Sequence, residues 1–275
     1  MQNSLFINPE QEKEKIVNFL KKNFKEQKID KVVLGLSGGI DSTTALYLLK
    51  EALPVKNIYA VQMDYFPRKK LDIDLKGINV VNVSIKKIVD EFEKNIRKGE
   101  GIEFFFDSGL RDCEEAPAEI KKFDTEPLKK VRLGNTMARV RMIILFDLAK
   151  KHDAMVCGTE NKSERLLGYF TRFGDAASDI EPISHLYKTQ IRQLADYLKV
   201  SEEIINQFPT AGLWDGQTDE DDFGFTYEEA DQVLYLTYDC KQDINKIKKD
   251  FPNAGKIIKR FQNNQFKLKT PYSLK

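Results

Sequence analysis

Residues 32–49, VVLGLSGGIDSTTALYLL, constrain the fold more than any other stretch. A valine-rich apolar run stops at Ser37, two glycines and Asp41 follow, and a second apolar run opens after Ser42 and Thr43. A short run of this kind suits a parallel strand buried on both faces. The glycine turn then lies at the carboxyl end of that strand, where open parallel sheets bind their ligands. Gly38 and Gly39 allow a ligand to approach the backbone closely, and their N–H groups join those of the following helix in an anion cradle. Ser37, Ser42 and Thr43 add hydroxyl donors. Asp41 is the misfit, because its charge repels an anion. It is either the helix N-cap, contributing about 1 kcal/mol, or a ligand of a Mg²⁺ ion that also holds phosphates, and the two roles are compatible. No GxxxxGK[ST] loop occurs in the chain, so this is not the common nucleotide loop.

The rest of the pattern predicts an α/β fold, a doubly wound, Rossmann-like parallel sheet with helices on both faces. Strands are expected at 31–36, 57–63, 78–84 and 154–158. Helices are expected at 9–26, 42–51, 85–97, 135–150, 188–198, 226–238, 241–249 and 253–262. The helix at 135–150 is apolar nearly all round at 142–145, which predicts burial on several sides, as a central helix or as a dimer interface. Residues 98–130 read as an irregular insertion with one short helix. Residues 159–185 and 209–224 lack periodicity yet carry glycines, aromatics and charges, which marks them as functional loops. No repeat or linker is evident, so 1–275 is expected to be one domain.

Composition excludes some classes. Lys and Arg number 44 against 43 Asp and Glu, without the basic excess of a general nucleic-acid binder. Cys113, Cys157 and Cys240 are odd in number and far apart, so buried, inert thiols in a reducing compartment are expected. His152 and His185 lack metal-site spacing. The amino terminus has no apolar signal core, and no apolar run reaches membrane-spanning length. A cytoplasmic protein with neither nucleic-acid nor membrane partner is the expectation.

SGGIDS resembles the pyrophosphate loop of the N-type ATP pyrophosphatases, a group that includes GMP synthetase, asparagine synthetase, tRNA-modifying enzymes and NAD synthetase. Three further stretches narrow the choice: GNTMARVRM (134–142), GTENKSERLLGYFTRFGDAASDIEPISHLYKTQIRQLA (158–195) and FPTAGLWDGQTDEDDFGFTYEEAD (208–231). Together they resemble the ammonia-dependent NAD synthetases, in the same order, over residues 30–65 and 131–240. The resemblance implies that ATP adenylates the nicotinate carboxylate of deamido-NAD, that ammonia displaces AMP, and that the cradle holds the departing pyrophosphate. It assigns Asp41 and Glu164 to Mg²⁺, and Ser37, Gly38, Gly39, Asp41, Ser42, Thr159, Lys188 and Thr210 to ATP, with Asp41 and Lys188 closest to the chemistry. A lysine opening a helix sits unfavourably with the helix dipole, which favours a phosphate partner for Lys188. Arg139, Tyr169, Phe170, Arg172, Asp175, Asp179 and Lys267 are assigned to deamido-NAD, with Lys162 a neighbour in the same loop. For Arg139 a snorkelling side chain, and for Tyr169 and Phe170 core packing, are the alternatives. The stretch 209–224 would act as a lid that excludes water, with the acidic run 219–222 as its solvated face. The resemblance also implies a homodimer.

The chain departs from the family pattern at Ala176, where a glycine is usual; a positive φ there would strain alanine. Phe266 precedes Lys267 where the family often has a His-Lys pair. The chain has no room for a glutaminase domain, so free ammonia is the expected nitrogen donor unless a separate subunit supplies it. Another enzyme of the group, one that modifies tRNA, and a non-catalytic nucleotide-binding module are the competing readings.

Overall fold

The computed structural model describes residues 5–66, 72–98, 126–210, 212, 216–269 and 271–274. Four strands form one parallel sheet in the order β3-β2-β1-β4: β1 (Val32–Gly35), β2 (Ile58–Asp64), β3 (Asn79–Ser84) and β4 (Met155–Cys157). In the register, Val32 lies beside Ile58 on one side and Met155 on the other. The helices are α1 (Pro9–Gln27), α2 (Ile40–Ala52), α3 (Lys86–Lys98), α4 (Glu126–His152), α5 (Lys162–Leu167), α6 (Lys188–Tyr197), α7 (Glu202–Ile205), α8 (Asp219–Phe223), α9 (Tyr227–Leu234), α10 (Ile244–Asp250) and α11 (Ala254–Asn264).

Alternation along the strands sorts the layers, because successive side chains leave a strand on opposite faces. Val32, Leu34, Ile58, Ala60, Met155 and Cys157 pack against α1, α2 and α6. Val33, Val61, Met63 and Val156 pack against α3 and α4. A third apolar cluster joins α5 to α9, α10 and α11. None of the helices among the described residues is long and apolar enough to cross a membrane.

Several expectations are corrected. The long helix begins at Glu126, so 126–130 belong to α4 and not to the insertion; residues 99–125 lie outside the described residues. The middle of α4 is not buried all round: Ile143 is 61% exposed. It packs on one face of the sheet, and Leu128, Val131 and Ile143 along it are exposed. The stretch 159–185 holds a helix, α5. Asn161 caps it, accepting from Glu164 N–H at 2.9 Å, while the Glu164 carboxylate reaches back to the Asn161 N–H, and Gly168 ends it at φ 66°. The predicted helix 226–238 is α9 followed by a π-helical turn, Tyr235–Asp239. Cys157 is buried, but Cys240, just past that turn, is exposed; Cys113 is outside the described residues.

A candidate nucleotide site at the carboxyl edge of the sheet

The 37–42 turn is held by its own hydroxyls. Ser37 Oγ accepts from Gly39 N–H at 3.2 Å and lies 2.9 Å from Ser42 Oγ. Ser42 and Thr43 hydroxyls both donate to the Gly39 carbonyl, at 3.1 and 3.0 Å. Gly38 has φ 83°, a conformation that costs glycine little and other residues much. Gly39, in extended backbone, is the N-cap of α2, and no side chain among the described residues caps that terminus. The first-turn N–H groups therefore remain available to an outside anion.

Asp41 is not the cap. It stands in the first turn of α2 and turns both oxygens toward other elements: Oδ1 accepts from Asn161 Nδ2 at 3.0 Å and Oδ2 from Lys188 Nζ at 2.5 Å. Lys188 Nζ also donates to Glu164 Oε1 at 3.2 Å. The lysine is 3% exposed and lies above the Tyr227 ring. Burial alone would lower its pKa, but Asp41 and Glu164 more than reverse that, so it stays charged. Burial pushes the Glu164 carboxyl up to about 8, with Lys188 pulling the other way. Lys188 at the amino terminus of α6 thus has carboxylates as partners, which removes the dipole argument for a phosphate. Two carboxylates face one ammonium, and the buried Asp219 adds its field to both Lys188 and Glu164. Among the described residues, no group of three or more His, Cys, Asp or Glu is arranged to hold a metal. Two hard oxygen donors still suit Mg²⁺, which is commonly held by one or two carboxylates with phosphates and water completing its shell.

The loop after α5 forms a second neighbourhood. Arg139 Nη2 donates to the Arg172 carbonyl at 3.3 Å, and Thr171 Oγ1 donates to Asn135, so the loop docks on α4. Asp175 accepts from Thr171 N–H at 2.9 Å. Lys267 donates to the carbonyls of Gly168 (2.6 Å) and Phe170 (3.0 Å) and lies over the Phe170 ring. Arg172 stacks on Phe266. The left-handed residue of this loop is Phe173, φ 58°, and not Ala176, so the strain expected of the alanine does not arise.

The remaining assigned residues make contacts of their own. The Tyr169 hydroxyl donates to Asp222 at 2.8 Å and its ring meets Phe223 edge-on, joining the loop to α8. Asp179 accepts from Val156 N–H at 2.7 Å and so secures β4. Thr159 follows β4, and Thr210 is exposed, its hydroxyl accepting from Gly212 N–H. Lys162 pairs with Asp239 at 2.7 Å instead of entering the loop. The acidic run is a solvated face only in its second half: Asp221 and Asp222 are exposed, but Asp219 is buried and accepts from the Tyr227 hydroxyl, while Glu220 accepts from Tyr227 N–H. Trp214 lies outside the described residues.

Asn161, Asp219 and the Glu160–Glu181 pair were not singled out from the sequence. The Asn161-x-x-Glu164 spacing is a helix-start signal; the others carry none. Glu160 Oε1 and Glu181 Oε2 are buried without hydrogen-bond partners among the described residues. Burial raises Glu160 from an ordinary 4.5 to about 8 and Glu181 from 4.5 to about 7. The folded state therefore binds more protons than the unfolded chain over this window, and stability falls as pH rises through it. Glu160→Gln is expected to raise the melting temperature by about 2–4 °C at pH 8 and to leave it unchanged at pH 5. An equal shift at both pH values would contradict the buried-acid account.

A parallel sheet whose carboxyl edge carries a glycine turn, an uncapped helix terminus, facing carboxylates and a buried lysine defines an α/β protein with a candidate anion site at that edge. The sequence model of the NAD synthase family matches residues 12–271, and the chain belongs to that family. The NH(3)-dependent NAD(+) synthetase of Fusobacterium nucleatum is 38% identical over 279 residues, spanning 98% of this chain and 97% of that one. The NH(3)-dependent NAD(+) synthetase of Thermococcus sibiricus is also 38% identical, over 86% of this chain and 84% of its own. Among solved structures, NH3-dependent NAD synthetase from Campylobacter jejuni superposes with a TM-score of 0.71 at 30% identity, over 98% of this chain and all (100%) of that one. NMN synthetase from Francisella tularensis superposes with 0.73 at 30% identity, over 98% and 99%.

Proposed function

We propose that the chain, as a single catalytic domain in the cytoplasm, converts deamido-NAD to NAD by ATP-dependent amidation with ammonia. ATP adenylates the nicotinate carboxylate, pyrophosphate leaves into the 37–42 cradle, and ammonia displaces AMP. Membership of the family makes the chain a carbon–nitrogen ligase of ammonia-dependent NAD synthesis. The observation that carries the ATP half of the reading is the uncapped α2 terminus beside Asp41, Glu164 and Lys188. An excess of carboxylate beside an anion cradle supports a divalent cation, and Asp41 and Glu164 would hold Mg²⁺. That ion would neutralise phosphate charge. Lys188 would orient the phosphates, and the loop with Arg139, Phe170, Arg172, Asp175 and Lys267 would bind the dinucleotide. The apolar side of α4, with Ile143 and Val131 exposed, supports a homodimer through this helix.

The test is a product balance. Protein, ATP, Mg²⁺, an ammonium salt and deamido-NAD are expected to give NAD, AMP and pyrophosphate in equal amounts. ADP as the nucleotide product would reject the reading. A parallel reaction with nicotinate mononucleotide decides the substrate, since one structural neighbour is an NMN synthetase.

A further inference from the structure

We propose that Asp231, on α9, is a positioning residue that sets the spacing of Lys188 and Glu164; the inference rests on the reading of those two residues as part of the ATP site. Asp231 is fully buried, at 0% exposure. Its Oδ1 accepts from Ser163 Oγ at 2.5 Å, and its Oδ2 accepts from both the N–H and the hydroxyl of Thr189, each at 2.9 Å. Ser163 Oγ in turn accepts from Lys188 N–H at 2.8 Å. Ser163 precedes Glu164 in the first turn of α5, and Thr189 follows Lys188 in the first turn of α6. One carboxylate therefore ties together the amino termini of the two helices that carry the site's acid and its base.

Chemistry explains why a carboxylate stands here. Three donors converge on two oxygens, and Ser163 donates to Asp231 because an ionised carboxylate can only accept. An asparagine offers one acceptor and one donor group. In one orientation its NH₂ faces the Thr189 N–H; in the other it faces Ser163 Oγ and leaves that hydroxyl proton without a partner. Either way one buried bond is lost and the two helix termini separate at their join. Neither Asp231 nor Ser163 touches the Lys188 ammonium, so their effect on ATP passes through the backbone of residues 163 and 188.

The test measures MgATP binding by calorimetry, and steady-state kinetics, for Asp231→Asn, Ser163→Ala and Lys188→Ala in the full chain. Asp231→Asn is expected to keep a stoichiometry near one per chain while the Kd for MgATP weakens by about 10-fold or more, the range seen when residues that orient site ligands are removed. The KM for the dinucleotide is expected to change by less than about 3-fold. Ser163→Ala, which removes only the bridge, shifts Kd in the same direction by a smaller factor and carries the test if Asp231→Asn does not fold. A merely structural role predicts the reverse, a reduced stoichiometry with unchanged Kd, and that result overturns the inference. So does an unchanged Kd in both variants while Lys188→Ala weakens binding. If Lys188→Ala itself binds MgATP normally, the underlying assignment of Lys188 fails instead.

Discussion

Lys188→Ala is expected to lower kcat/KM for ATP by about 10³-fold or more, in line with losing a placed charge at a reacting phosphate. The same change is expected to destabilise the fold. Lys188 is 3% exposed and is the shared partner of two carboxyl groups, at 2.5 and 3.2 Å. Removing it leaves like charges facing each other without a counter-ion, at a cost of about 3–5 kcal/mol for a buried pair so broken. The pH dependence has a definite sign. Burial already raises Glu164 to about 8, and loss of the ammonium can only push it further up. A carboxyl raised on folding takes up a proton, so the destabilisation shrinks as pH falls. Denaturation at pH 8 and pH 5.5, beside the turnover assay, checks both halves. A variant with wild-type turnover would reject the assignment of Lys188.

Asp41→Asn and Glu164→Gln are expected to separate activity from stability. Each should lower turnover by about 10²–10³-fold and shift the Mg²⁺ dependence of the rate to higher concentration, if the two carboxylates hold the ion. Neither should lower the melting temperature. Above about pH 8, where Glu164 is ionised beside Asp41, two carboxylates face one ammonium, so neutralising one leaves a balanced pair and relieves repulsion, the pattern expected where function is held against stability. A Mg²⁺ titration of the rate and a thermal melt of each variant decide the matter. Wild-type turnover with unchanged Mg²⁺ dependence would remove these residues from metal binding.

The sheet was legible because its signals are local. Valine-rich runs and the glycine turn fix β1, α2 and their join within 20 or so residues, and the strand alternation already assigns Val32 and Val33 to opposite layers. The start of α4 was lost because the Pro- and Gly-containing stretch ahead of it reads as a loop. The six-residue α5 is too short for periodicity, though its capping pair was written in the chain at Asn161 and Glu164. Asp41 read equally well as a cap because a cap is also an acid before a helix; only contacts from Asn161 and Lys188 separate the two. Asp219 and Asp231 were opaque for the same reason. Within their own helices they look like surface acids, and their burial is decided by distant elements: Ser163 reaches Asp231 across 68 residues.

Those long separations set an order of events during synthesis. The glycine turn emerges early, but its aspartate meets Asn161 across 120 residues and Lys188 across 147. At about 5–20 residues per second, the ribosome takes about 7–30 s to supply the lysine after the turn. Asp231, which joins the lysine's helix to its neighbour, comes later still. A nascent chain therefore carries the glycine turn without the groups that meet its aspartate in the fold, and, if the turn is the phosphate cradle proposed above, ATP is expected to stabilise only chains released beyond α9. Nucleotide binding then reports on a chain that has passed α9.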